Sequence, residues 1–447
     1  MTIRTSHQRF PAVPFLFVLT IILVSALTFG WIRESSLEKI SVAGQGFFTR
    51  FKMPAPEPAR LAPSHPNGPS ELQVAALLDR GAFAPGDEIE GQDSRAPQDI
   101  KELDPRSLAF ESGDWFTYLR LTYLNPLAQL SFTASMTALI ILVMWLLYFR
   151  RIDVFGSSSF IELLFTMALG AFFAFFALIL GDVVDRWLPA LPLSGWSYDL
   201  AFSVIRIGVV EELVKFAPVL LVVLVANRNK QPLDLLILGS MSALGFSTLE
   251  NALYFSTHGL GIAFSRFLFS TLMHLATTSI VCYVWARARA FQRGSHLKAA
   301  LAGLLLAALV HGVYDFFVLK PSSKSAVLGF VVVLFMAREY NRMLRNALNL
   351  TPLGEPLVVD HSRLSNFSLL VSTVGFLLLI GFLYNNFEYD TQMAFQQLKM
   401  MGLYSLPVQI SLFASLGKIV LEPGKFKPLF KLPSLDRHPA DISLSYH

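Results

Sequence analysis

The amino-acid sequence predicts an all-α fold, a polytopic transmembrane helical bundle of about nine to ten spans with one extracytoplasmic loop segment. Three observations predict it. Of 447 residues, 53% are hydrophobic and only 15% charged, and the mean hydropathy is +0.52, too apolar for an ordinary soluble protein. Apolar runs long enough to cross a bilayer recur along the chain. The short connections between them alternate between basic and acidic or neutral, as they do when loops are sorted to opposite membrane faces.

In chain order, residues 12–32 form an apolar stretch preceded by Arg4 and Arg9. No clear small-residue cleavage site follows, so residues 1–32 read as a signal anchor span. Residues 33–126 form the one long polar segment. Six prolines lie between Pro54 and Pro69, and an acidic stretch runs on to Asp104, a composition that predicts a largely flexible linker with one short helix near Glu71–Leu78. Trp115, Phe116, Tyr118 and Tyr123 suit a membrane-interface belt. Residues 127–159 then hold a span and a cytoplasmic loop, 160–320 the membrane core, 321–420 the C-terminal spans and 421–447 a cytoplasmic tail. Individual spans are expected at 127–148, 160–180, 200–226, 233–255, 263–285, 298–319, 325–345, 366–385 and, more weakly, 402–420.

Arg150-Arg151, Arg228 with Lys230, and the run Arg287, Arg289, Arg293, Lys298 mark cytoplasmic connections; Asp182, Asp185 and Asp199 lie in an outer one. The net charge of +4 follows this topology and points to no nucleic-acid partner. Cys282 is the single cysteine, so neither an internal disulfide nor a multi-cysteine metal site can form.

The chemistry concentrates in four consecutive spans. Glu211, Glu212 and Lys215 interrupt the apolar run 200–226; Glu250 with Asn251, then His274, then His311 with Asp315 occupy the next three. An ionisable group near the bilayer centre costs at least about 3 kcal/mol, so three within five residues require a polar cavity or mutual pairing. Pairing of one glutamate with Lys215 at i,i+3 or i,i+4 would satisfy one carboxylate and leave the other. Two adjacent acids repel each other's ionisation, and a neutral acid beside an ionised one is an acid–base arrangement. At about 1.5 Å per residue, Glu211 and His274 fall near the centres of their spans, His311 slightly outward, and Glu250 and Asp315 roughly 9–10 Å outward. That common depth predicts one cavity open to the outer side. Each residue also has a purely structural use: His311 and Asp315 can pair at i,i+4, Asn251 can be inter-helix glue, and Gly239, Ser240, Ser242, Ala243, Gly245 and Ser247 can serve close packing alone.

The strings EELVK at 211–215, FSTLEN at 246–251, RFLFSTLMH ending at His274, and HGVYD at 311–315 resemble the PrsW intramembrane proteases, relatives of the CAAX prenyl endopeptidases and bacteriocin-processing membrane proteases. The resemblance spans about residues 160–320. It implies cleavage of a membrane-anchored protein, such as an anti-sigma factor, on its extracytoplasmic side, in the lipid bilayer of a bacterial inner membrane. It carries over Glu211, Glu212, Glu250, Asn251, His274 and His311 as catalytic residues, with Lys215 and Asp315 in support. On this reading Glu211 or Glu212 is the base for a water, His274 orients it or stabilises the oxyanion, and Asn251 donates to the oxyanion. The family has been called metallopeptidase, so Zn2+ is a candidate cofactor on Glu211, Glu212, His274 and His311; the lack of an HExxH pair weighs against it. A proton-coupled transporter and a non-catalytic helix-binding protein are the rival readings, although no inverted repeat supports the first.

Overall fold

The structure is a computed structural model. It describes residues 105–152, 159–226, 230–290, 295–320, 323–350, 358–359, 363–388, 391–415 and 419–420. The expected signal anchor, the proline-rich stretch, the helix near Glu71 and the C-terminal tail lie outside these residues.

Nine long helices carry the described fold: α1 (Phe132–Ile152), α2 (Phe160–Trp187), α3 (Val210–Ala226), α4 (Pro232–His258), α5 (Thr271–Ala290), α6 (His296–Val318), α7 (Ser323–Asn349), α8 (Arg363–Glu388) and α9 (Thr391–Ser415). A two-residue antiparallel ladder pairs Val358–Val359 with Ile419–Val420. Five segments among the described residues are long and apolar enough to cross a membrane: Phe132–Arg150, Phe160–Ala190, Pro232–His258, Leu260–Ala290 and His296–Val318. The polytopic helical bundle is thus present. The stretch around α3 misses that composition because Arg206, Glu211, Glu212 and Lys215 fall inside it.

Several boundaries differ from the expected ones for physical reasons. Asp182 and Asp185, read as an outer connection, lie inside the last turns of α2, because charged residues at a span's watery end need not stop the helix. Over the region of the expected span at 402–420 a helix runs from Thr391 to Ser415, since Gln396, Gln397 and Lys399 are good helix formers that extend it despite their polarity, and it is not among the described segments apolar enough to cross a membrane. Residues 105–128, expected as a membrane-interface belt leading into a span from 127, form four short helical pieces. They are latched to α2: Arg106 Nη2 and the Tyr118 hydroxyl each reach an Asp182 carboxylate oxygen at 2.8 Å, and the rings of Phe110, Trp115 and Tyr118 pack edge to face. Burial and the neighbouring Asp182 push the Tyr118 phenol well above its ordinary range.

The helix α4 is the axis of the bundle, buried continuously from Leu233 to Ser247. Its small residues explain how. A methyl added at Gly245 would run into the Met167 carbonyl of α2, and one added at Gly170 of α2 would run into the Ser242 carbonyl of α4, so the two backbones cross in contact. Gly245→Ala is therefore expected to cost about 1–3 kcal/mol by overpacking, read as a lower melting temperature in detergent; wild-type melting would show that the crossing can open. The turn into α5 is held similarly. Gly259 sits at φ 76° against the Tyr384 hydroxyl of α8, which leaves no place for a side chain.

The outer helices divide cleanly between faces. On α6, Leu297, Leu301, Leu305 and Leu309 are exposed at four-residue spacing, while Ala300, Gly303, Ala307 and His311 turn inward. On α3, Leu213, Leu221 and Leu224 are exposed while Glu212, Lys215 and Val219 are buried. Apolar side chains toward lipid and polar ones toward the bundle are the arrangement a membrane demands.

Two helices approach the site through a π-wound stretch: Phe202–Val209 leads directly into α3, and Arg266–Ser270 into α5. Such widened turns bring side chains onto faces that a regular 3.6-residue period does not predict.

Candidate active site

The four polar spans converge. Lys215 is wholly buried and stands at the centre. Its ammonium donates to Glu211 Oε2 at 2.9 Å and Glu212 Oε1 at 3.2 Å, and lies 2.7 Å from His274 Nδ1. An ammonium has three N–H donors and no acceptor, so these three neighbours use all of them. The Phe246 ring closes its remaining side at 4.4 Å. Because Lys215 can only donate, we assign His274 Nδ1 as the acceptor; in the neutral ring the proton is then on Nε2. That nitrogen faces Glu250 Oε2 at 2.8 Å.

The two glutamates are not equivalent. Glu212 is fully buried. It accepts from Thr277 Oγ1 at 2.8 Å and Thr278 Oγ1 at 2.7 Å as well as from Lys215, and His311 Nδ1 lies 2.9 Å from its Oε1 off the hydrogen-bond direction. Three donors thus converge on its two oxygens. Glu211 is bonded to Lys215 alone among the described residues, and its side chain keeps 16% exposure. His274 Nδ1 and His311 Nε2 each lie 3.8 Å from Glu211 Oε2. Of this pair, the carboxylate that keeps exposure is therefore Glu211.

His311 also has Asp315 Oδ2 at 3.3 Å from Nε2, the i,i+4 contact expected from the sequence. Its ring meets that of His274 edge to face at 5.1 Å. Asn251 is wholly buried but turned from the glutamate pair. Its amide donates to Thr271 Oγ1 at 3.1 Å and Ser247 Oγ at 3.4 Å, and its carbonyl oxygen accepts from Arg266 Nε at 2.6 Å. With both its amide hydrogens engaged, it frames the site from behind.

Three contributors were not singled out in the sequence: Arg266, Thr277 and Thr278. Arg266 carried a readable signal, a cation eight residues before His274 in an otherwise apolar run. The threonines carried none, since Thr is common in membrane helices.

Glu211, His274 and His311 each offer a ligand atom within 4.8 Å of the others. Two histidines and a carboxylate with an open fourth position form a catalytic zinc set. No HExxH pair is needed, because the three ligands come from three helices. Ligand atoms about 2.0–2.1 Å from a tetrahedral ion sit closer together than the 3.8 Å seen here, so small rotations would complete the ring. The donor chemistry fits. Lys215 stands against two of the same lone pairs, and Glu212, included among the expected ligands, is instead consumed by Lys215 and the threonines.

The fold and site together define a helical membrane bundle with a buried cluster of carboxylates and imidazoles around Lys215. Residues 159–338 match the family model described as PrsW family intramembrane metalloprotease, so this core is similar to the PrsW intramembrane proteases. Among its relatives, Protease PrsW of Oceanobacillus iheyensis is 29% identical over 150 residues, covering 33% of this chain and 69% of that protein. Protease PrsW of Bacillus subtilis is 30% identical over 124 residues, covering 28% and 56%, so just over half of that relative's length is spanned. Protease PrsW of Clostridioides difficile is 24% identical over 206 residues, covering 44% and 84%. No solved structure matches. The five described segments long and apolar enough to cross a membrane fit an integral membrane protein.

Proposed function

We propose that the protein hydrolyses a peptide bond of a membrane-anchored protein with a water activated by Glu211. The observation that supports this most is the asymmetry of the pair: one glutamate fully engaged and sealed, the other partly exposed beside two imidazoles. Glu212 acts as an anchor, fixing the Lys215 ammonium between the two carboxylates. Lys215 holds the Glu211 carboxylate in place, leaving it to take the proton of a water attacking the scissile carbonyl. The same ammonium supplies fixed positive charge beside Glu211, which would favour an oxyanion developing there. His311, between Glu211 and Asp315, is placed to deliver a proton to the leaving amine. The substrate class suggested by the family resemblance is a single-span regulator such as an anti-sigma factor, cut in the outer half of its span in a bacterial inner membrane.

A second reading follows from the Glu211–His274–His311 triad. A divalent ion held there would polarise the carbonyl and acidify its bound water. The two readings place different demands on Glu211, as base or as ligand. Purified protein in proteoliposomes with single-span test substrates, assayed with and without chelator and weighed for metal by elemental analysis, separates them. We expect cleavage to survive chelation, with less than stoichiometric metal. About one ion per chain, with activity restored only by metal, would establish the triad as a metal centre.

A further inference from the structure

We infer that Arg266 is a positioning residue of the reaction, acting through Glu250 to fix the orientation of His274. This rests on the proposed hydrolytic reading. Arg266 opens the π-wound turn before α5, and its side chain is 11% exposed. Its guanidinium makes three contacts with consecutive features of α4: Nη2 lies 2.8 Å from Glu250 Oε2, Nε donates to Asn251 Oδ1 at 2.6 Å, and its carbon centre lies 4.0 Å from the centroid of the Tyr254 ring. Glu250 Oε2 in turn lies 2.8 Å from His274 Nε2, off the hydrogen-bond direction, and Ser270 Oγ lies 3.3 Å from the same nitrogen.

The geometry runs in one line from Arg266 through Glu250 to His274 and on to Lys215 and Glu211. A carboxylate behind an imidazole sets the ring's rotation and which nitrogen points forward. Glu250 faces His274 as a charge at 2.8 Å, and Arg266, its ion-pair partner at 2.8 Å, holds that charge beside the ring. Asn251 supports the guanidinium from the other side, since its amide is tied to Thr271 and Ser247. Polar glue alone would need a single contact between α4 and α5, and Ser247 to Thr271 at 3.1 Å already supplies one. A planar guanidinium reaching a carboxylate, an amide and an aromatic face together is a geometry that lysine cannot reproduce.

The test compares Arg266→Lys, Arg266→Gln, Glu250→Gln and the double variant R266Q/E250Q in proteoliposomes with a substrate the wild type cleaves. If the wild type cleaves none of the substrates, the hydrolytic reading fails and Arg266 is not at issue. Given wild-type cleavage, Arg266→Lys keeps the charge and should melt like wild type. Its kcat should fall by about 10²-fold, the scale for misplaced catalytic groups, with KM unchanged. The double variant should turn over at the rate of Glu250→Gln, because Arg266 acts through that residue. Wild-type kcat in Arg266→Lys would overturn the inference, and so would a double variant whose loss is the product of the two single losses. If Arg266→Gln alone fails to fold, the lysine and double variants still decide the matter.

Discussion

Glu211→Gln is expected to lower kcat by about 10³-fold, within the range for loss of a general base, while the protein melts as wild type does. The amide keeps the carboxylate's shape and its contact with Lys215 through one oxygen, but it cannot take a proton from water. Folding should tolerate the change because Glu211 has one hydrogen-bond partner among the described residues and stays partly exposed. Glu212→Gln should behave differently. It withdraws negative charge from a fully buried site that satisfies Lys215, Thr277 and Thr278, so its loss of activity should come with a loss of stability. Kinetics and detergent melting on both variants check this. Equal melting losses, or full turnover in Glu211→Gln, would remove the distinction between base and anchor.

Lys215→Met is expected to be the most destabilising substitution in the core, at about 3–5 kcal/mol. The methionine fills similar volume, but Glu212 is left buried with no cation while Glu211 and His274 lose their shared donor. The cost therefore belongs mainly to the stranded charge. Adding Glu212→Gln to Lys215→Met should recover a large part of the melting temperature with activity still absent. If the double variant is no more stable than the single, the ammonium is holding the helices together by packing rather than by charge.

The bundle and much of the centre were legible in the sequence for one reason: in an apolar run each charge is expensive, so Glu211, Lys215, Glu250 and His311 stand out against their surroundings. The same argument could not rank the glutamates, because neighbours on a helix differ in facing by about 100° and only the packed bundle decides which side is sealed. Asn251 was recognisable as part of the site, but its orientation depends on Arg266, which reaches it through a π-wound turn whose register a 3.6-residue period does not describe. Asp182 and Asp185 looked like a loop because acidic residues at a span's end read as water-exposed; their capture by Arg106, Tyr118 and Arg206 joins residues far apart in the chain, which local pattern does not register.

The most direct test is mass spectrometry of the products when the reconstituted protein acts on a single-span substrate in H2(18)O. The account predicts a new C-terminal carboxylate carrying one (18)O, at a bond in the outer half of the substrate's span, and its disappearance with Glu211→Gln. A cut on the cytoplasmic side, or the same labelled product from Glu211→Gln, would contradict it.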